Sequence, residues 1–305
     1  MKTIGIANGK IQASAISLGC MRMAGLSVSE ASALIHTALD EGINFFDHAD
    51  VYGEGRSEEI FAQAVEMSPT VREKLILQTK CGIRQGYYDF STEHILEAVD
   101  GSLRRLKTDY VDLMLLHRPD ALVEPEEVAE AFTRLHDSGK VRFFGVSNHK
   151  PMQIELLNRY IRQKIVVNQL QLSITNTGMI DSGINVNMLT DGAVDRDGSI
   201  LDYCRLKDIT IQAWSPFQYG FFEGVFLGNT RFPGLNQKID ALARAKGVPN
   251  TAIAAAWILR HPARIQPIAG TMSAARLKDI CRAADIELTR AEWYDIYKAA
   301  GNMIP

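Results

Sequence analysis

Residues 111–117 read VDLMLLH, an apolar run that stops at a histidine. A strand with one face in water alternates polar and apolar residues, but this run is apolar on both faces, as in a parallel sheet that is covered on both sides. Seven more short runs also stop at a polar residue or a glycine: SAISLG (14–19), INFFD (43–47), KLILQTK (74–80), VRFFGVS (141–147), IVVNQ (165–169), ITIQAWS (209–215) and IQPIAG (265–270). Segments of helical period lie between the runs. Eight alternating strands and helices predict an α/β fold, a closed parallel (β/α)8 TIM barrel.

Local signals predict the elements around the barrel. In TIGIANGKIQ (3–12), Asn8-Gly9 separates two β-prone stretches, which predicts a short N-terminal β-hairpin. Ser27 and Glu30 form a capping box before the first crossover helix, which we expect to end at Gly42. Apolar stripes at helical spacing predict later helices at 95–106, 125–139 and 235–247.

Two connections are longer than is usual in a compact domain. Residues 170–197 are rich in Asn, Thr, Gly and Asp, and residues 214–234 are rich in Gly, Phe and Pro. Loops of this length are usually functional. Because both follow strand ends, we expect both to overhang the carboxyl mouth of the barrel, where the catalytic groups of such barrels lie.

The composition is that of one ordinary globular domain, spanning 1–305. The 305 residues suit a single barrel, since barrels of this kind have roughly 250 residues before insertions. A net charge of -3 gives no electrostatic case for binding nucleic acid or an anionic membrane. No apolar run approaches the ~20 residues that cross a bilayer. The N-terminus lacks the pattern of a signal peptide, so we expect a cytoplasmic protein.

The four cysteines are scattered along the chain. Cys20, Cys81, Cys204 and Cys281 show neither a CxxC pair nor the spacing of a zinc site. This pattern is typical of reduced thiols in a cytosolic protein, and it predicts neither a disulfide nor a structural metal.

Polar residues at three consecutive strand ends form a catalytic pattern with a tyrosine. FFDHADVYG (45–53) places Asp47 at the end of the second strand and Tyr52 on the loop that follows. Lys80 and His117 end the next two strands. In this order and on these strands, the four residues resemble the Asp, Tyr, Lys, His tetrad of the aldo-keto reductase superfamily, and the resemblance covers essentially the whole chain. The tail LTRAEWYDIYKAA (288–300) is similar to the bacterial YdhF-type oxidoreductases.

The chemistry of these residue types agrees with that resemblance. A tyrosine hydroxyl, with an ordinary pKa of about 10, is a weak acid at neutral pH. The ammonium group of Lys80 would lower that pKa and favour proton donation to a carbonyl oxygen that gains negative charge. Asp47 can supply the counter-charge that a buried lysine needs, and His117 can hydrogen-bond and orient the carbonyl oxygen. No side chain supplies hydride, so this chemistry requires a nicotinamide cofactor.

The remaining strand ends offer groups for that cofactor. The resemblance implies that Ser147, Asn148 and Gln169 hydrogen-bond the nicotinamide carboxamide, since their side chains provide both donors and acceptors. It also implies that Trp214 stacks on the nicotinamide ring, and that Ser215, Pro216 and Phe217 begin a segment that folds over the pyrophosphate. At the end of the first strand, Gly19 would allow close approach of the backbone to the nicotinamide, and Met21 is a candidate wall. The chain has no GxGxxG after its first strand, which argues against a Rossmann dehydrogenase.

The eighth strand runs into AGTMSAARLKDI (269–280), in which Gly270 and Thr271 open a helix. The free N–H groups of a helix N-terminus suit a phosphate. Arg276 matches the family arginine that contacts the adenosine 2′-phosphate, so NADPH is expected rather than NADH. There are two departures from the family pattern. Gly270 stands where many relatives have a phosphate-binding lysine, and Ile280 stands where many have an adenine-contacting asparagine.

The sequence therefore predicts an NADPH-dependent, metal-free reductase of small-molecule aldehydes or ketones. A second class stays open, a nucleotide-binding regulatory subunit that senses redox state, since some barrels of this superfamily partner with membrane channels. A third class is a metal-dependent hydrolase, whose ligands would be Asp47, His48, Asp50, His117 and His149. The hydrolase class gives Lys80 and Tyr52 no role. In the reductase class, His48 and Asp50 have no catalytic role.

The substrate itself is not predicted, because loops form the specificity walls of such barrels. Six loop residues indicate an apolar mouth: Met21, Met23, Tyr87, Tyr88, Phe221 and Phe222. The resemblance implies a monomer or a weak oligomer.

Overall fold

Eight parallel strands close into a barrel in the computed structural model, which describes residues 1–305. In chain order the strands are β1 (Thr3–Ile6), β2 (Ile11–Ser14), β3 (Ser17–Gly19), β4 (Phe45–Asp47), β5 (Ile76–Cys81), β6 (Val111–Leu116), β7 (Val141–Ser147), β8 (Ile165–Gln171), β9 (Thr210–Trp214), β10 (Gln218–Tyr219), β11 (Gly224–Val225) and β12 (Gln266–Ala269). The barrel consists of β3 to β9 in sequence, and β12 closes it by pairing with both β9 and β3. The predicted (β/α)8 barrel is confirmed.

Helices surround the barrel. They are α1 (Val28–Asp40), α2 (Arg56–Ala64), α3 (Pro69–Arg72), α4 (Thr92–Leu106), α5 (Pro125–Asp137), α6 (Pro151–Asn158), α7 (Gly178–Ile184), α8 (Ile200–Leu206), α9 (Pro233–Lys246), α10 (Asn250–Leu259), α11 (Ala274–Cys281) and α12 (Arg290–Ala299). Single 3-10 turns lie at Met23–Gly25, Tyr52–Gly55, Asp191–Ala193 and Arg282–Asp285. The four predicted helices are confirmed as α1, α4, α5 and α9. The Ser27–Glu30 capping box is present at the start of α1, and α9 ends at Gly247, whose φ of 63° suits a glycine.

The N-terminal hairpin closes the amino-terminal end of the barrel. Its strands β1 and β2 pair antiparallel, and the loop has four residues, 7–10, because Ile6 pairs directly with Ile11. Asn8 and Gly9 both take positive φ there, at 56° and 83°. The apolar face of the hairpin packs with Phe45 and with inward residues of β6 and β8. The hairpin thus leaves uncovered the opposite end of the barrel, where the strands have their carboxyl termini.

The two long connections behave differently, and one prediction about them is wrong. Residues 214–228 line the large cavity at the barrel mouth, and they contain the small β10–β11 hairpin. No residue of 170–197 lines that cavity. This connection forms α7 and lies instead against the end of α10 and against α12, around a separate cavity of about 690 Å³. Only its first residues reach the mouth, where Ser173 Oγ donates to the Gln218 carbonyl at 2.7 Å.

All four cysteines are buried and unpaired. No helix is both long and apolar enough to cross a membrane.

Candidate active site

One cavity of about 1260 Å³ lies at the carboxyl ends of the barrel strands. Three of the four predicted catalytic residues line it, namely Asp47, Tyr52 and His117, while Lys80 is fully buried. All predicted cofactor residues also line it: Gly19, Met21, Asp47, Ser147, Asn148, Gln169, Trp214, Ser215, Pro216, Phe217, Gly270, Thr271 and Arg276. The structure thus brings together residues that span 258 positions of the sequence, from 19 to 276, inclusive.

Lys80 joins Asp47 to Tyr52. Its Nζ lies 2.8 and 2.9 Å from the two carboxylate oxygens of Asp47, and it donates to the Tyr52 hydroxyl at 3.0 Å. A further bond to the carbonyl of His48, at 2.9 Å, holds the same nitrogen. Because every partner of Nζ is fixed to the barrel or to the loop after β4, the ammonium group has one defined position against the phenol.

Burial and the neighbouring charges act on the pKa of Tyr52 in opposite directions. Burial raises the pKa of this phenol above its ordinary value, Lys80 lowers it and Asp47 raises it, so that the net shift is upward. Lys80 thus lowers this pKa, as predicted, but burial outweighs it, and sequence alone does not show how deeply Tyr52 is buried. For Lys80, burial lowers the pKa, but Asp47 and then Tyr52 outweigh it and raise it. Tyr52 therefore keeps its proton at neutral pH beside a charged ammonium.

His117 is neutral at neutral pH. Burial, then the charges of Lys80 and Arg118, hold its pKa well below the ordinary value. Its ring meets that of Tyr52 edge to face, with 5.8 Å between centroids. A neutral imidazole in the cavity wall has one hydrogen-bond donor and one acceptor, but only the protonated imidazolium could serve as the general acid.

A layer of buried glutamine amides supports Asp47 inside the barrel, and sequence reasoning missed most of it. The strand register sets Asp47 beside Gln78, and Gln212 between Gln169 and Gln266. Gln78 Nε2 and Gln169 Nε2 both donate to Asp47 Oδ1, at 2.5 and 3.0 Å. The sequence signal for this layer is a glutamine within an otherwise apolar run, as in ILQTK (76–80) and TIQAW (210–214).

The amide layer continues down to the hairpin. Gln212 Oε1 accepts from the same two amides, at 2.8 and 3.2 Å, and Gln212 Nε2 donates to Gln266 Oε1 at 2.9 Å. The last hydrogen bond of this series runs from Gln266 Nε2 to the Ser14 carbonyl, 2.7 Å away. Since the Gln169 side-chain N–H groups both donate within this layer, the side-chain oxygen Oε1 of Gln169 is the atom left for a ligand in the cavity.

Two strained residues lie at the ends of β7 and β9. Asn148 and Ser215 are not glycines, yet both have positive φ, 60° and 52°. Such conformations persist where neighbouring structure enforces them, often at functional sites. Here Asn148 Nδ2 donates to Ser147 Oγ at 2.8 Å, and Trp214 Nε1 donates to Asn148 Oδ1 at 3.0 Å. These bonds tie the predicted carboxamide pair to the predicted stacking residue.

Aromatic side chains form one wall of the mouth. Phe222 stacks near-parallel to Trp214 at 5.8 Å, and Phe221 meets it edge-on at 6.2 Å. Met21 also lines the cavity, as predicted. The prediction fails for Met23, which is fully buried in the core. It fails also for Tyr87 and Tyr88, which are exposed on the surface and do not line the cavity.

The corner at β12 and α11 contains a cation that was not predicted. Arg22, on the loop after β3, donates Nη2 to the Gly270 carbonyl at 2.7 Å. A Cβ on Gly270 would lie 3.5 Å from the same nitrogen, so Arg22 occupies the space beside Gly270. Arg276 is exposed in this corner and has no ion-pair partner. For Gly19 the structure adds a packing reason, because a Cβ there would meet Ile268 at 2.8 Å.

His48 and Asp50 do not face the cavity. The His48 ring is completely buried, edge-on to Phe61 at 4.6 Å, and burial lowers its pKa to about 3. The Oδ1 atom of Asp50 is buried without a hydrogen-bond partner. No group of three or more His, Cys, Asp or Glu side chains is arranged to hold a metal ion. Asp47 and His48, two ligands of the hydrolase alternative, are engaged by Lys80 and by the core.

We expect Asp50→Asn to make the stability of the protein less dependent on pH. Burial, then Glu58, raises the pKa of Asp50 to about 7. A carboxyl group whose pKa is raised on folding stabilises the folded state below its unfolded pKa of about 3.8, and this stabilisation is lost as the pH rises through the folded value. Wild type should therefore lose urea resistance between about pH 4 and pH 7, relative to Asp50→Asn. The control is Asp40→Asn on the exposed end of α1, and an unchanged difference between wild type and Asp50→Asn across this range would contradict the expectation.

Comparison with known proteins now adds a family to this geometry. A sequence profile of the Aldo/keto reductase family matches residues 15–300. The chain belongs to the aldo/keto reductase family. It is 38% identical over 306 residues to "Uncharacterized oxidoreductase YcsN" of Bacillus subtilis (strain 168), with 95% of each chain covered.

Two other relatives also match over most of their length and most of this chain. A "6-dehydroglucose reductase" of Novosphingobium aromaticivorans is 35% identical over 305 residues, covering 97% of this chain and 94% of that protein. "Oxidoreductase YdhF" of Escherichia coli (strain K12) is 32% identical over 284 residues, covering 90% of this chain and 89% of that protein. The predicted similarity to YdhF-type oxidoreductases is confirmed.

An aldo-keto reductase from Klebsiella pneumoniae, solved in complex with NADPH, has the same fold, with a TM-score of 0.78, 24% identity, and coverage of 100% of this chain and 96% of that one.

Proposed function

We propose that the chain is an NADPH-dependent reductase that converts a small aldehyde or ketone into the alcohol, with Tyr52 as the proton donor. The observation that supports it most is the position of Lys80 Nζ, which touches both Asp47 and the Tyr52 hydroxyl while Tyr52 and His117 line the same cavity. Membership of the aldo/keto reductase family supports the same reading. The proposal includes a cytoplasmic location and a monomeric or weakly associated state, as expected from the sequence.

Proton delivery follows from the charges around Tyr52. The phenol holds its proton at neutral pH because burial raises its pKa, and Lys80 stabilises the phenolate that forms when the proton leaves. Asp47 keeps Lys80 protonated, and the amide layer keeps Asp47 in place. His117, being neutral, can donate one hydrogen bond to the substrate oxygen without competing for the proton.

The cavity suits a nicotinamide dinucleotide. Its wall includes both Tyr52 and the β12–α11 corner, where Arg22 and Arg276 offer two cations and Ser273 opens α11. Ser147, Asn148 and Gln169 line the same cavity. Thr251, whose buried hydroxyl has no partner, also lines it. The cofactor would supply the hydride, and the residues of this chain would bind and orient it.

The test is NADPH oxidation over a panel of aldehydes and ketones that includes aldehyde forms of sugars, because two relatives are named for 6-dehydroglucose reduction. Turnover that depends on a carbonyl substrate would support the proposal. If the protein binds NADPH tightly but oxidises it with no member of the panel, the regulatory-subunit alternative replaces the reductase. If a chelator abolishes activity, the metal-dependent class returns.

We expect Arg276→Ala to raise the KM for NADPH by about 10- to 100-fold, since an arginine bonded to a phosphate is a charge-assisted contact. The KM for NADH should change little, because NADH lacks the 2′-phosphate. Arg22→Ala serves as the matched variant, since its guanidinium reaches Gly270 and would weaken both cofactors alike if it meets the pyrophosphate. Equal losses for both cofactors in Arg276→Ala would remove the 2′-phosphate role.

A further inference from the structure

Arg118, the residue after His117, is a cation without an anion. It lines the catalytic cavity and is only half-buried, yet it forms no ion pair and no hydrogen bond within the protein. The acid nearest to it in sequence, Asp120, uses its two oxygens to accept from the backbone N–H groups of Phe90 and Leu122. Asp120 forms no ion pair with the guanidinium and is held by these two backbone groups.

Aromatic rings hold Arg118 at the cavity wall. Its guanidinium carbon lies 5.7 Å from the centroid of Trp214 and 6.0 Å from that of Phe221. Cation–π contacts of this kind position a guanidinium but leave its five N–H donors free. Partly desolvated donors beside a substrate site favour a ligand that brings acceptors of its own.

The net charge of the cavity wall is positive, which also favours an anionic ligand. The wall contains three arginines, Arg22, Arg118 and Arg276, and a single acid, Asp47, which Lys80 neutralises. The chain as a whole has a net charge of -3, so this positive charge is local to the cavity. Arg22 and Arg276 stand together at the β12–α11 corner, where the cofactor phosphates are proposed to bind. Arg118 stands apart from them, next to His117.

We propose that Arg118 selects carbonyl substrates that carry an anionic group, a carboxylate in the first instance. A planar guanidinium binds a carboxylate through two parallel hydrogen bonds, which fixes both the position and the direction of the bound molecule. Held at Arg118, the carboxylate would direct the carbonyl end of the same molecule to Tyr52 and His117. This inference rests on the proposed reductase function and names its substrate class.

The experiment compares pairs of aldehydes in which one member has a carboxylate and the other has a neutral group in its place. Para-carboxybenzaldehyde and its methyl ester have the same ring and the same aldehyde, and succinic semialdehyde with butanal covers a shorter spacing. We expect wild type to prefer the acid of each pair in kcat/KM. Arg118→Gln should lower kcat/KM for the acids by about 10- to 100-fold and leave the neutral partners within about threefold, since hydrogen bonds to a charged group are lost for the acids alone. Arg118→Lys should retain part of the preference.

The control is Arg162→Gln, a surface arginine whose side chain is 69% exposed. An Arg118→Gln variant that keeps the full preference for the acids, or a wild type that prefers the neutral partners, would overturn the inference. Both results leave the reductase function intact. Calorimetric binding of para-(hydroxymethyl)benzoate, the product, to the NADP⁺-loaded protein provides a readout without turnover. If neither aldehyde is reduced but this binding is lost in Arg118→Gln, the reductase proposal fails and the anion site stands.

Discussion

Replacing Tyr52 by phenylalanine is expected to lower kcat for NADPH-dependent carbonyl reduction by about 10²- to 10⁴-fold, the range typical of a lost general acid. The ring is retained, so its edge-to-face contact with His117 should persist. Only the hydroxyl that Lys80 contacts at 3.0 Å is removed. Steady-state NADPH oxidation measures the loss, and fluorescence titration of NADPH should show affinity within about threefold of wild type, because the hydroxyl acts in the transition state rather than in cofactor binding.

The pH dependence of the wild type belongs to the same prediction. Because the pKa of Tyr52 is raised, its acid form persists through neutral and mildly alkaline pH, and kcat should fall only as the pH rises through that raised pKa. The pKa of His117 is well below its ordinary value, so no decline is expected from imidazole titration near neutral pH. The matched control is Tyr160→Phe, an exposed residue two positions after the end of α6 whose hydroxyl has no partner. Turnover of Tyr52→Phe within a few-fold of Tyr160→Phe would show that the proton comes from elsewhere.

The barrel, and the positions of the predicted catalytic residues at one end of it, were predictable because both rest on short-range patterns. Apolar runs mark the strands, and each run stops where the chain leaves the sheet, so that Asp47, Lys80 and His117 could be placed at neighbouring strand ends. In a parallel barrel all strands have their carboxyl ends on the same side, so these three residues lie at one end of the barrel. The resemblance to a known family added the cofactor residues, all of which line the same cavity.

Other features could not be predicted because they depend on where distant segments meet. Arg22 is a lone charge on a loop, and its place beside Gly270 arises only when β3 pairs with β12. Residues 170–197 follow a strand end but turn away to pack on α10 and α12, which their composition does not reveal. The pKa of Tyr52 is set by its burial, and burial is a property of the folded chain.

Lys80→Met is expected to lower the free energy of unfolding by about 3–5 kcal/mol, the usual cost of removing one partner of a buried ion pair. The Lys80 side chain is fully buried and that of Asp47 is 4% exposed, so water cannot replace the lost ammonium. The two amide donors from Gln78 and Gln169 remain on Asp47 Oδ1 and would moderate the loss. Urea unfolding followed by circular dichroism gives the midpoint, and carbonyl reduction should be lost as well.

A second substitution separates stability from catalysis. In Lys80→Met with Asp47→Asn, no buried charge is left alone, so most of the lost stability should return, whereas the phenol still lacks its ammonium and activity should stay absent. Asp47→Asn by itself should cost less than Lys80→Met, because an unpaired buried lysine can release its proton and become neutral. If Lys80→Met unfolds at the same urea concentration as wild type, the ion pair does not hold the site. If the double variant regains turnover along with stability, Lys80 serves the fold and not the proton transfer.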